Sequence, residues 1–176
     1  MKKGAAAKSG GQGGFTLIEL IISLAIGLFV ATALTSVVLT SVTASNVAFG
    51  RIEASGQIRA FEMRAYDDFA SSTLPALNGC GDMPSDACTT TPIVLNTQQA
   101  SNSASPTISL VQVTYVWDGS AFLDRQTGGG SAHMGTSVSA FSWYEDSNTN
   151  QVVVEMTVTV LSYSESQTFR FYPRVS

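Results

Sequence analysis

Residues able to do chemistry are few in this chain, and they gather in two places. Near the N-terminus, a short basic, glycine-rich stretch ends in Gly13-Gly14-Phe15-Thr16-Leu17-Ile18-Glu19-Leu20. From residue 15 to residue 50, Glu19 is the only formally charged side chain. The roughly twenty apolar or small residues that follow are what a helix needs to cross a bilayer core. A carboxylate at the edge of such a segment is costly, so Glu19 is a functional-site candidate by position alone. The second place holds the only two cysteines, Cys80 and Cys88, around a loop of Gly81, Asp82, Met83, Pro84, Ser85, Asp86 and Ala87. The pair can close this loop as a disulfide or contribute ligands to a metal. With one histidine in the chain and a spacing unlike a zinc pair, the disulfide is the better reading. By the loop-entropy relation it would contribute about 2–3 kcal/mol.

Residues 15–74 contain no proline and only three glycines, Gly27, Gly50 and Gly56. Beyond the apolar half, Val47, Ala54, Ile58, Phe61, Ala65 and Phe69 recur at helical spacing, with Arg51, Glu53, Arg59, Glu62 and Arg64 around them. One continuous helix from Phe15 to about Phe69 is predicted, roughly 80 Å long at the standard rise. Its first half is apolar on all sides, suited to lipid, and its second half is amphipathic, suited to packing on a globular domain.

The run from Gly13 to Leu20, with its apolar continuation, resembles the N-terminus of type IV prepilins and pseudopilins. The resemblance implies that a prepilin peptidase removes residues 1–14 by cutting between Gly14 and Phe15, then methylates the new Phe15 amine. It also implies that Glu19 pairs with the Phe15 ammonium of a neighbouring subunit during assembly. An intrahelical pairing of Glu19 with its own N-terminus, where the helix dipole also favours a carboxylate, stays open. Two other readings compete. In an ordinary secretory signal, Lys2, Lys3 and Lys8 would form the basic region and Val42-Thr43-Ala44 the cleavage site. The apolar stretch from Leu20 to about Val42 is longer than the roughly 7–15 residues of a signal core, and a glutamate serves no purpose in a discarded peptide. A permanent single-span anchor with its leader retained differs mainly in processing.

Farther along, residues 71–92 read as a linker, with Pro75, Gly79, Gly81, Pro84 and Pro92. Residues 96–106 are polar and of low complexity, a surface loop by composition. The hydrophobic period then becomes two. Val111, Val113, Tyr115 and Trp117 alternate with Gln112, Thr114 and Val116, and Asp118-Gly119 signals a hairpin into Ala121-Phe122-Leu123. Gly128-Gly129-Gly130 reads as a flexible break. Residues 138–144, 152–160 and 167–172 complete the strands, with a turn at residues 145–150. The predicted class is α+β: a type IV pilin-like long helix on one antiparallel sheet of four to six strands. Its divisions are a leader at 1–14, a helix at 15–74 with a transmembrane or fibre-core part at 15–42, a linker with the cysteine loop at 75–106, and a sheet domain at 107–176. Val113-Thr114-Tyr115-Val116-Trp117-Asp118-Gly119, with Leu123-Asp124-Arg125 and Phe171-Tyr172-Pro173-Arg174, is similar to W-type minor pilins and J-type minor pseudopilins. Ser36 and Val37 stand where many major pilins carry a proline, which also suggests an accessory subunit.

Other candidate sites are set aside. His133, after the glycine run, is expected in a solvent-exposed loop and has no pattern of a triad or zinc site. Glu145, Asp146, Ser147, Asn148 and Asn150 lack the spacing of a calcium loop and are ordinary turn formers. Gly128-Gly129-Gly130 is followed by neither Lys-Ser nor Lys-Thr, so it is no phosphate loop. Trp117, Trp143 and Tyr144 are expected in core packing. No catalytic residue, metal or cofactor is expected, and the reading is a structural subunit rather than an enzyme.

All three lysines lie in residues 1–14, so the remainder carries six arginines against thirteen acids, a side-chain balance of −7. That acidity argues against nonspecific binding to nucleic acid. The resemblance implies a single-pass inner-membrane protein with a periplasmic domain, later incorporated in an extracellular filament. Disulfides persist in such a compartment. Implied partners are other pilin or pseudopilin subunits through the helix, the prepilin peptidase, and an inner-membrane assembly platform. The expected function is a minor pilin that joins or primes a filament. Alternatives are a minor pseudopilin of a type II secretion system, or an adhesin or DNA receptor at a filament tip.

Overall fold

The computed structural model describes residues 14–73, 75, 80–100 and 108–174. Two compact units emerge, residues 1–44 and residues 45–176. Helix α1 (Leu17–Ala70) begins in the first and ends in the second. In the first unit every described residue is exposed. The hydroxyls of Thr32, Thr35, Ser36, Thr40 and Thr43 donate to carbonyls three or four residues back, at 2.8–2.9 Å. Polar groups in this apolar stretch are thereby satisfied within the helix itself.

In the second unit the helix buries Gly50, Ala54, Ile58, Phe61, Ala65, Asp68 and Phe69, a single face at helical spacing. Among the described residues, seven antiparallel strands form two sheets. The first has the order β1 (Ile93–Ala100), β2 (Ile108–Trp117), β3 (Leu123–Thr127), β4 (Gly130–Gly135). The second has the order β5 (Val138–Asp146), β6 (Gln151–Val160), β7 (Tyr163–Phe171). Phe61 binds the helix to both. Its ring meets Tyr115 of the first sheet edge-on at 5.8 Å, and Phe141, Phe169 and Phe171 of the second at 5.3–6.4 Å. Phe69 stacks on Phe171 at 4.3 Å. Gly50 lets α1 approach the β6–β7 hairpin, since a Cβ there would lie 2.8 Å from the Val160 carbonyl oxygen.

The α+β class and antiparallel pairing agree with the sequence, but several boundaries differ. The expected single sheet of four to six strands is two sheets of seven strands. Residues 93–100, read as linker and polar loop, are strand β1; its inward Ile93, Leu95 and Thr97 are buried while outward Asn96 and Gln98 are exposed. The polar outward face concealed the alternation. The rest of that expected loop, residues 101–106, and residues 74 and 76–79 of the linker lie outside the described residues, as do residues 1–13 of the expected leader. The glycine run is a hairpin turn rather than a break, since Thr127 pairs with Gly130 across residues 128–129. His133 is consequently on strand β4 and not in a loop, though still exposed. Ala121 and Phe122 belong to the β2–β3 turn rather than a strand. There the Asp118 carboxylate accepts the amides of Ser120, Ala121 and Phe122 at 2.8–2.9 Å. These bonds, that of Ser120 foremost, hold its pKa well below the usual range.

A buried polar cluster fastens the end of α1 to the first sheet. Asp68 accepts hydrogen bonds from the Tyr115 hydroxyl (2.6 Å) and from Arg125 Nε (2.6 Å) and Nη2 (2.8 Å). The fork geometry satisfies both carboxylate oxygens. Burial, then the bond to Asp68, raises the Tyr115 pKa far above its ordinary 10.0, and the same carboxylate raises that of Arg125.

Asp68→Asn leaves the Arg125 guanidinium without its counter-charge. It should destabilise the second unit by about 2–3 kcal/mol, below the full cost of a broken buried pair because Arg125 stays partly exposed. The raised phenol pKa means that the Tyr115 contribution is complete below about pH 10 and is lost as pH rises past it. Thermal melts of the wild type should therefore show a fall above pH 10 that is diminished in Tyr115→Phe. Gly50→Ala should cost about 1–3 kcal/mol by forcing the Val160 backbone away, read as a lowered melting temperature.

Candidate processing and assembly segment

Gly14, Phe15 and Thr16 precede the helix, and all three are exposed. Phe15 keeps 80% of its surface accessible. No atom lies within 4 Å of where a Gly14 Cβ would stand. The peptide bond between Gly14 and Phe15 thus lies between exposed residues just before the helix cap.

Thr16 is that cap. Its carbonyl accepts the Leu20 amide at 3.2 Å, and its Oγ1 accepts the Glu19 amide at 3.4 Å. A threonine at the cap and a glutamate three residues on have the spacing of a capping box. The Glu19 carboxylate is exposed in the first turn, where free backbone amides favour negative charge. An anion in this place can meet a cation from its own N-terminus or from another chain. The Thr-x-x-Glu spacing of Thr16 and Glu19 is the signal in the sequence for this capping role.

Large apolar side chains follow on every face, including Leu17, Ile21, Leu24, Phe29, Leu34 and Val38, each at least 55% exposed. The helix is long and apolar enough to cross a membrane. A surface of this kind is stable only against lipid or other apolar helices.

Cys80 and Cys88 are joined as a disulfide, with Cα atoms 5.3 Å apart. Cys80 is buried in the core and Cys88 packs against it. His133 Nδ1 lies 2.5 Å from Asp124 Oδ1, beside the Phe122 ring. A groove of about 650 Å³ between α1 and β4 is lined in part by Met63, Arg64, Asp67 and His133. Among the described residues, no three histidine, cysteine or acidic side chains are placed to hold a metal. Trp143 is fully buried, Tyr144 nearly so, and Trp117 packs half-buried against the core. Asp68, absent from the sequence expectations, proves to be the polar centre of the second unit. A lone acid on the apolar face of an amphipathic helix was its only signal.

Residues 10–35 match a known family, described as the prokaryotic N-terminal methylation motif. No curated protein and no solved structure matches the chain. The match spans the end of the leader, the Gly14–Phe15 bond, Glu19 and the first part of the apolar helix, and it points to a structural subunit that associates with membrane and with other pilins. The long apolar helix, its packing on antiparallel sheets and this motif together support a likeness to type IV prepilins and pseudopilins.

Proposed function

We propose that this protein is a minor pilin: a subunit cut between Gly14 and Phe15, methylated on Phe15, and drawn from the membrane into a filament whose assembly it primes. The observation that carries the reading is the matched motif at residues 10–35 leading into a helix whose apolar stretch up to residue 44 is exposed on every face. Cleavage would create an ammonium on Phe15, four residues before the Glu19 carboxylate. In an apolar environment neither charge is stable alone, so each favours an opposite partner. A filament in which the amine of one subunit meets Glu19 of the next satisfies both and fixes the register between helices.

The accessory role is supported by the W-type and J-type resemblance of the β2–β3 hairpin and of Phe171-Tyr172-Pro173-Arg174. It is also supported by the absence of proline from the apolar half. In this reading the described domain faces the periplasm while the chain waits in the inner membrane, contacts the assembly platform there, and is extracellular once in the filament. The protein acts as a scaffold and not as an enzyme. The J-type likeness applies equally to a minor pseudopilin of a type II secretion system, and deletion separates the two, since one abolishes surface filaments and the other secretion.

Coexpression with a prepilin peptidase tests the processing step. The wild type should lose residues 1–14, whereas Gly14→Leu should keep them, visible as a slower-migrating membrane band. Glu19→Ala should be cut normally yet be missing from sheared filaments, with at least a tenfold loss by immunoblot. Normal recovery of the Glu19 variant in filaments would refute the pairing role.

A further inference from the structure

The second sheet runs β5-β6-β7, so one side of β5 pairs with β6 and its other side is an edge. The disulfide ring lies along that edge. Cys88 and Trp143 exchange both backbone hydrogen bonds, each at 2.9 Å, as a single antiparallel bridge. The Asp82 carboxylate accepts the Ser147 hydroxyl at 3.2 Å, and Trp143 Nε1 donates to the Thr91 carbonyl at 2.8 Å. Within the ring, Gly81 donates its amide to the Asp86 carbonyl at 3.0 Å around a 3-10 turn at Pro84–Asp86. The two run so close that a Cβ on Gly81 would fall 2.2 Å from the Asp86 Cβ.

Little apolar burial holds this cover down. Residues 82–86 are all exposed, Met83 among them. The ring is rooted through sulfur: Cys80 is buried in the core, and its bond to Cys88 fixes the residue that pairs with β5. β5 itself is held independently through its full pairing with β6. An uncovered strand edge presents unpaired backbone groups to other chains, and native proteins commonly shield it.

We infer that the Cys80–Cys88 bond is a redox-controlled clasp on the outer edge of β5. Oxidised, it holds the ring across Trp143. A dithiol that attacks it passes two electrons to the disulfide and closes into its own disulfide, leaving Cys80 and Cys88 as thiols. The ring then lifts and the edge opens, while the rest of the domain stays folded. The chain therefore shields this edge only once it has reached an oxidising compartment.

Amide exchange on the full chain in detergent, with and without dithiothreitol, tests this. Mass analysis after thiol alkylation verifies complete reduction. The amides of Trp143 and Cys88 should exchange about 80-fold faster on reduction, the scale set by the entropy of so short a ring. Val154, at the centre of β6, should be unchanged. The double variant Cys80→Ser/Cys88→Ser should reproduce the reduced pattern. No acceleration at Trp143 would show that hydrogen bonds alone hold the cover. Equal acceleration at Val154 would make the disulfide a general brace of the domain. Either result overturns the clasp.

Discussion

Charge is unstable in an apolar surrounding, and that constraint organises the apolar N-terminal segment of this protein. A helix clad in leucine, isoleucine, valine and phenylalanine on every face has no stable existence in water. Carrying one carboxylate, it has no easy place in lipid either. Glu19 lies at the edge of the segment, in the first turn, where the helix's own amides offset part of the cost. Placement there keeps the charge near the polar boundary of a membrane and close to the Gly14–Phe15 bond. Under the assembly proposed above, the same carboxylate would serve a membrane-anchored subunit and an assembled one, with a different cation satisfying it in each.

The second unit meets a separate demand: one helical face must support two sheets. Phe61 does so by presenting its ring to aromatic partners from both, and Asp68 adds a directional bond to the first. Burial alone would permit the sheet to slide along the helix by a turn. A carboxylate fixed by Tyr115 and both arms of Arg125 specifies the position.

Much of this was legible in the residues. The helix announced itself through sixty proline-free residues at 15–74 and the recurrence of Ala54, Ile58, Phe61, Ala65 and Phe69, all of which are buried. The run from Val152 to Val160 alternated clearly because its core-facing residues are uniformly apolar. Strand β1 escaped notice because its outward positions are Asn96 and Gln98, and strand β4 because Gly130-Ser131-Ala132-His133 has little intrinsic strand preference. The pairing of β4 depends on a tertiary fact, the tight turn at residues 128–129 against β3. Asp68 was equally hidden, since its partners lie 47 and 57 residues away in sequence. At the N-terminus the chemistry is local, so the motif carried its meaning in eight consecutive residues.

The proposed pairing role of Glu19 depends on a free amine being generated at Phe15. The direct measurement is the intact mass and N-terminal sequence of the protein extracted from membranes of its own host. A chain beginning at N-methylated Phe15, with Glu19 four residues on, is the predicted result. A chain beginning near Ser45 would mark the apolar segment as a discarded signal. One that retains residues 1–14 would mark it as a permanent anchor. Either finding would contradict the account of Glu19 as the charge that sets subunit register.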